Sequence, residues 1–437
     1  MIKIIPACVS EVTETSPVII PDDEVVERVG IDALDLYSSD FVIDIDLAKV
    51  KEKEKCISTA KSKGIKDKRI TVNYSDEPLP YGCHNSNGDG LKEITIYDNS
   101  RFASFVYQIY RDDKGLARQY LELKMQVDIL RGHNIGNLSY IEYDNYIDDA
   151  LQYLHEEYGI TVSHEHLRIK RIEVNCNILL RNSYSDYNRV NTIFVSHVPE
   201  MKKKPTIIGR EPTKKEPFPE KTYQNENKGT KIIIYNKTAE TKQKDGIVLD
   251  KELMRIEYVL KNKTAVATWL GSNVWNEITD NTIISFFRQF TENKIRKPYD
   301  HWKNDIAPKR IQRWFLLAIG AKKKVNKADQ HIWVKTVYAD GRGWQHRLLG
   351  LMDEYDKHTG SDVCVLDMEQ VEDAIIHLNR KRKNKYKNYV RYLPDRLYHL
   401  QAVSYYQHDC NKVEELFEAI ARCCKNAEDY IGVDTSV

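Results

Sequence analysis

A run of strict alternation from Leu167 to Leu180 constrains the fold more than any other stretch of the chain. Ile172, Val174, Cys176 and Ile178 fall on one side of a period-two pattern, and Arg171, Glu173, Asn175 and Asn177 fall on the other. Successive side chains of a strand point to opposite faces, so the pattern predicts a long strand with one face in a core and the other polar. Two further stretches repeat it. In Tyr120 to Val127, Leu121, Leu123, Met125 and Val127 oppose Glu122, Lys124 and Gln126; in Leu253 to Leu260, Met254, Ile256 and Tyr258 oppose Arg255 and Glu257. Phe102 to Tyr110 reads as a strand joined to Tyr120–Val127 by the hairpin connection Asp112-Asp-Lys-Gly115. Phe41 to Asp46 alternates as well and places Asp44 and Asp46 on one face. Half-polar strands joined by short turns belong to antiparallel sheets.

Helices are expected around this sheet. Ile147, Ala150, Leu151 and Leu154 form a stripe over Asp144 to Tyr158, with Asp144 as a possible N-cap and Gly159 as a stop. Residues 282–290 read as a packed helix. Residues 199–227 hold Pro199, Pro205, Pro212, Pro217 and Pro219 among many lysines, which predicts an exposed basic loop. Past residue 295 the character changes to helices with basic faces, at 311–319, 345–355, 368–382 and 412–424, and residues 292–308 read as a linker. The expected class is α+β: an antiparallel-sheet domain over residues 1–295 with helices on one face, then a mainly helical domain over 296–437.

A chain of 437 residues is long enough for a sizeable core and for two domains. Basic and acidic residues balance, 66 against 65, so any attraction to a polyanion must come from local runs. No apolar run approaches the roughly 18 residues of a membrane-spanning helix, and Met1-Ile-Lys-Ile-Ile-Pro-Ala-Cys8 lacks the apolar core of a signal peptide. The eight cysteines form no CxxC pair and Cys423-Cys424 are adjacent, a pattern that suits a reducing cytoplasm and gives no structural zinc site.

The candidate chemistry sits on the polar strand faces. Glu122, Glu173 and Glu257 each stand mid-strand, and three carboxylates from separate strands suit Mg²⁺ or Mn²⁺, which prefer oxygen ligands. The alternative is that they pair with Arg171 and Arg255 across neighbouring strands. In Lys231-Ile-Ile-Ile-Tyr-Asn-Lys-Thr-Ala-Glu240 a strand of β-branched residues runs into a polar helix start, with Tyr235 at the hand-over. A tyrosine beside a cation can attack phosphorus, and Lys237 would offset developing charge. The alternatives are a half-buried strand-end ring at Tyr235, or Tyr223 as the nucleophile. His164-Glu-His166 has metal-like spacing but precedes the strand, so it reads as a surface loop. His133 and Asn134 lie in a Gly-His-Asn turn.

Arg380, Lys381, Arg382, Lys383, Lys385, Lys387 and Arg391 make seven positive charges in a run without a negative one. Tyr386, Tyr389 and Tyr392 are interleaved at helical spacing. Such a run attracts phosphates and can stack unpaired bases, or is a solvated helix end. The loop from Lys202 and the cluster Lys322-Lys-Lys324 add two more positive stretches.

These segments, in their order, resemble the gene II family of filamentous-phage replication initiators and related phage and plasmid replication proteins. Ile45-Asp-Leu-Ala-Lys49 is similar to that family's early acidic strand, and Leu121-Glu-Leu-Lys124 with Ile129-Leu-Arg-Gly-His-Asn134 to its most recognisable segment. Arg171-Ile-Glu173 and Arg255-Ile-Glu257 resemble its two Arg-x-acid strands, and Tyr235-Asn-Lys-Thr-Ala-Glu240 its Tyr-x-Lys-x-x-Glu segment. The likeness spans roughly residues 40 to 270. It implies a rolling-circle initiator that nicks one strand of a double-stranded origin, stays joined to the 5′ phosphate through Tyr235, leaves a 3′-OH for the host polymerase, works with a host helicase, and later rejoins the displaced single strand. The strand faces, with the resemblance as support, give the expectation that Glu173 and Glu257, with Glu122 as a third, hold Mg²⁺ or Mn²⁺, and Lys124, His133, Asn134, Arg171 and Arg255 are expected to touch DNA. A related plasmid family places its nucleophile where Tyr223 lies. A mobilisation relaxase with the same chemistry, and a non-catalytic origin-binding or repressor protein, are the other readings.

Overall fold

The computed structural model describes residues 2–6, 19–20, 27–38, 44–62, 68–74, 91–111, 114, 117–131, 135–202, 205–209, 221–245, 247–249, 251–320, 343–348, 350–351, 368–391 and 409–434. Ten strands form one antiparallel sheet: Val29–Ser38 (β1), Lys68–Tyr74 (β2), Leu91–Asp98 (β3), Phe102–Arg111 (β4), Ala117–Gln126 (β5), Arg168–Leu179 (β6), Thr206–Gly209 (β7), Lys221–Glu226 (β8), Thr230–Asn236 (β9) and Leu253–Leu260 (β10). Their spatial order is β7-β8-β9-β10-β6-β1-β5-β4-β3-β2, which puts the long alternating strand β6 at the centre, between β10 and β1.

Alternation decides the two faces. Ile172 lies beside Leu34 and Leu260, and Cys176 beside Ile256, so the apolar rows of β1, β6 and β10 merge into one buried surface. Helices cover that surface: Tyr140–Tyr158 (α3), Asn188–Ser196 (α4), Asp280–Thr291 (α7) and the long Asp409–Asp434 (α10) all contribute buried side chains to the same core. The opposite face carries Tyr235, Arg255, Glu257, Glu173 and Lys124. Helices on one face and a polar, accessible second face are as the alternation predicts. Leu47–Ser62 (α1), Val127–Arg131 (α2), Lys237–Asp245 (α5), Lys263–Leu270 (α6), Ala307–Ala318 (α8) and Met368–Lys381 (α9) complete the longer helices of the described residues. None of the described helices is long and apolar enough to cross a membrane.

Several expected boundaries move for local reasons. α3 begins five residues earlier than its apolar stripe suggested, because Ser139 and Glu142 close a reciprocal capping box and take over the first free N–H groups. Asp144 instead accepts from the Trp275 indole at 2.6 Å. Gly159 ends the helix in the left-handed region at φ 66°, where a Cβ is unfavourable. Of the expected strand Phe41 to Asp46, Asp44–Ile45 is strand and Asp46 caps α1 by accepting from Ala48 and Lys49; residues 41–43 lie outside the described residues. The stretch 199–227, expected as a loop, contributes β7 and β8, since Tyr223 and Asn225 alternate inward.

The expected linker is helical. Pro298 and Pro308 each follow a π-helical turn, Glu292–Arg296 and Trp302–Ile306, which accommodates the missing proline N–H without ending the helix. Ile295, Tyr299 and Trp302 are buried along it. α10 then returns to the sheet, where Cys423 donates to the Asn177 carbonyl of β6 and Arg422 pairs with Glu27. The division near 295 is therefore not a break in the core, because the last helix supplies part of it.

After α2 the chain comes back as residues 135–138 against the start of β1, with Ile31 and Leu138 exchanging backbone hydrogen bonds. Gly30 permits that approach: a Cβ there would stand 2.7 Å from both the Asn137 side chain and the Leu138 carbonyl. Gly30→Ala is expected to cost about 1–3 kcal/mol, as overpacking does, read as a lowered urea midpoint.

Candidate functional site on the polar face of the sheet

Strand register brings the candidate residues together. Tyr235 on β9 stands opposite Arg255 on β10, which stands opposite Asn177 on β6. Two residues along, Glu257 lies between Ile233 and Asn175, and the next row places Glu173 beside Ala33 of β1. Tyr235 and Glu257 are thus diagonal neighbours on one face, and the Tyr235 hydroxyl donates to Glu257 Oε1 at 2.7 Å. A cavity of about 590 Å³ opens above them, lined also by Asp32, Glu173, Thr222 and Glu240.

Asp32 has no counterpart in the sequence reading. Its strand reads Ile31-Asp-Ala-Leu-Asp-Leu36, in which Asp32 and Asp35 are three apart and would face opposite sides of a regular strand. Glu173 pairs with Ala33 and Val174 with Ile31, so Asp32 is the extra residue of a β-bulge. The bulge turns Asp32 onto the polar face, where its Oδ1 accepts from Arg255 Nη1 at 3.2 Å. The slip in the apolar–acidic rhythm at Ala33 is the signal that marks it.

Arg255 anchors this end of the site. Its side chain is fully buried and donates to Asn177 Oδ1 at 2.7 Å, to Asp32, and to the carbonyls of Ile135 and Gly136 at 2.8 and 3.3 Å. The segment 135–138 therefore roofs it, and Asn137 secures that segment by donating to the Arg28 carbonyl and to Asn175 Oδ1. Buried under this roof, Arg255 donates to protein acceptors on β1, β6 and the 135–138 segment.

Burial dominates the electrostatics. It pushes the Glu257 carboxyl up, and the Asp32 charge adds to that while Arg255 opposes it. Glu173 is raised by burial and by Asp32 and Asp35, against the pull of its ion-pair partner Arg171. Burial and then the Glu257 charge push the Tyr235 phenol well above its ordinary value, with Arg255 pulling the other way. Burial lowers Lys237, and the Arg255 charge lowers it further, although Glu240 pairs with it. Lys237 Nζ stands 5.8 Å from the Tyr235 ring centroid.

These shifts have a stability consequence. A carboxyl whose folded pKa is raised stays protonated after its unfolded counterpart has ionised, so stability falls as pH rises from the unfolded value through the folded one. Glu257→Gln removes that loss while keeping an acceptor for Tyr235. The variant is expected to be more stable than the parent by about 1 kcal/mol at pH 8, with the difference fading below pH about 4.5. Urea melts across that pH range check it.

Other expected site residues lie elsewhere. Glu122 stands opposite Tyr37, four residues along β1 from the Ala33 that faces Glu173, or about 13 Å at the rise of a strand. It belongs to a separate cluster, paired with Lys170 and with Lys124 at 3.2 Å and accepting from Tyr120 at 2.8 Å. Burial raises its carboxyl, but the hydrogen bonds from Lys170 and Tyr120 outweigh that and hold it below the usual range. Tyr223 is 1% exposed and lies in register with Ile234 and Ile256 on the helix-covered face, whereas Tyr235 is 9% exposed and faces the cavity. Arg171 is paired with Glu173. His164 pairs with Asp144 of α3 at 3.0 Å in a short 3-10 turn, away from the cavity. His133, Asn134, Tyr392 and Lys322–Lys324 lie outside the described residues.

Among the described residues, no group of three or more His, Cys, Asp and Glu side chains is arranged to hold a metal ion. The donor chemistry nevertheless suits a hard cation. Asp32, Glu173 and Glu257 give an all-oxygen set facing one cavity.

No family model and no curated protein matches the sequence. Among solved structures, a rolling circle replication initiator protein from Geobacillus stearothermophilus is similar at 15% identity, over 61% of this chain and 85% of that one, with a TM-score of 0.33. A likeness of that size carries no argument about function, which rests on the geometry of the polar face.

Proposed function

We propose that the protein is a DNA nickase that initiates rolling-circle replication, with Tyr235 as its nucleophile. The observation that carries this reading is the Tyr235 hydroxyl held 2.7 Å from Glu257 in a cavity that Asp32 and Glu173 also face. In its ionised form Glu257 takes the phenolic proton as the oxygen attacks the scissile phosphorus. The bond from phosphorus to the 3′ oxygen breaks, that oxygen takes a proton from solvent, and the 5′ phosphate remains on Tyr235. The phosphotyrosine keeps the energy of the phosphodiester, so reversal at the same site rejoins ends.

Mg²⁺ or Mn²⁺, held by Asp32 and Glu173 with Glu257 beside them, would polarise a non-bridging phosphate oxygen. Arg255 fixes Asp32 and the roof over the site, and Lys237 adds positive charge below the Tyr235 ring. The substrate is a double-stranded origin and then the displaced single strand; the free 3′-OH would prime the host polymerase, with a host helicase unwinding the duplex, in a bacterial cytoplasm. A mobilisation relaxase would use the same groups on a transfer origin. The pairing of Glu173 with Arg171 and of Asp32 with Arg255 favours, as a second reading, a non-catalytic origin-binding protein whose carboxylates are sheet ion pairs.

The test is to incubate the protein and Mg²⁺ or Mn²⁺ with a supercoiled plasmid carrying its own origin. Nicked circles with protein on a 5′ end are expected. Origin binding without any nick or covalent adduct would refute the nickase and leave the second reading.

A further inference from the structure

We infer that residues 380–391 form a rigid, positively charged turn that binds the phosphate backbone of duplex DNA. The inference rests on the nickase reading only for the choice of DNA as polyanion. α9 ends at Lys381, and a four-residue turn follows in which Lys385 donates its backbone N–H to the Arg382 carbonyl. The two central residues, Lys383 and Asn384, both have positive φ, 51° and 59°. Neither is glycine, so the conformation must be held from outside.

Asn379 and Tyr386 hold it. Asn379 Oδ1 accepts from the Tyr386 backbone at 2.9 Å, its Nδ2 donates to Asn384 Oδ1 at 3.3 Å, and its carbonyl accepts from the Asn384 N–H. The Tyr386 ring is 9% exposed and packs edge-on against Phe315 of α8, at 5.8 Å between centroids. Tyr389 meets Phe315 and Trp344 edge-on. Both rings follow the turn, on the short helix Lys387–Val390 and its N-cap, and seat the segment against α8, with Tyr389 still 36% exposed.

Most of what remains outside is charge. Arg380, Lys381, Arg382, Lys383, Lys385 and Lys387 are all exposed, and none forms an ion pair among the described residues. Lysines and arginines on a fixed backbone match a regular array of phosphates, the contacts that position a protein on a duplex. The turn thus supplies grip on the duplex backbone.

The test measures binding without cleavage, in the presence of EDTA, so it stands or falls apart from the nickase reading. The full-length protein and its Lys383→Gln/Lys385→Gln/Lys387→Gln variant are titrated with a 30-base-pair duplex of arbitrary sequence and with the corresponding single strand, over a range of salt. Each lost phosphate contact lowers the slope of log K against log salt by about 0.9 on duplex DNA, so a drop of about 2–3 is expected, with duplex affinity at least about tenfold weaker at low salt. Unchanged circular dichroism and melting temperature show that the variant folds. An unchanged duplex slope and affinity overturns the proposal, and so does a loss larger on the single strand than on the duplex. Asn379→Ala, which removes no charge but unties the turn, is expected to weaken duplex binding; binding equal to the parent overturns the claim that rigidity matters.

Discussion

Tyr235→Phe is expected, on the proposed mechanism, to abolish the covalent protein–DNA adduct and lower nicking by about 10⁴–10⁶-fold, the scale seen when an enzyme loses its nucleophile. Phe fills the same volume, and only the oxygen that donates to Glu257 is lost. The fold is therefore expected to persist, with a melting temperature within a few degrees of the parent. Tyr223→Phe behaves differently. Its ring lies under the helices, in register with Ile234 on the opposite side of the sheet, so its hydroxyl has no route to the cavity. That variant keeps the adduct and is destabilised by about 1 kcal/mol, the worth of one buried hydrogen bond. Gel analysis of denatured protein–DNA complexes separates the two. A retained adduct in Tyr235→Phe, or a lost one in Tyr223→Phe, reverses the assignment.

Arg255→Ala lowers stability by about 3–5 kcal/mol, because breaking a buried pair leaves its partners uncompensated. Asp32, the Asn177 amide oxygen and the Ile135 and Gly136 carbonyls all lose a donor at once. Against a total of about 5–15 kcal/mol for a folded domain, much of the protein would be unfolded near its normal melting range. Arg255→Lys does not restore it, since one ammonium group cannot reach partners spread around a planar fork. Urea unfolding of both variants checks this, and a loss below 1 kcal/mol in Arg255→Ala would show that the 135–138 roof holds without it.

The polar face was legible where alternation is regular. Glu173 and Glu257 lie on well-patterned strands, and the parity of their positions alone puts them on the side away from Ile172 and Ile256. Parity also separates Tyr223 from Tyr235, twelve residues apart on different strands, but only once their register is known. Glu122 shows where that reasoning ends. It shares a face with Glu173, yet periodicity says nothing about how far along neighbouring strands two residues sit, and the register of β1 with β5 and β6 moves it about 13 Å away. Asp32 shows the converse. A single inserted residue reverses its side and brings it to the cavity, and a rule of strict period two would discard it.

In the carboxy-terminal region, the helices were legible but the end of α9 was not. A basic run with tyrosines at helical spacing looks like a continuing helix until Lys383 and Asn384 take positive φ, held by Asn379 and a ring seated on a helix some seventy residues earlier. The same limit applied to residues 292–308, where π turns before two prolines kept a helix going through an apparent linker.

By itself the sequence determined the strands, the polarity of their faces, the class of the fold and the residue types at the site. These follow from local stereochemistry, which each residue carries with it. Only the tertiary structure decided that Asp32 replaces Glu122 beside Glu173 and Glu257, that Arg255 is buried beneath them, and that Tyr235 and not Tyr223 faces them. Those outcomes depend on register, a bulge and a returning segment, all set by contacts between residues distant in the chain.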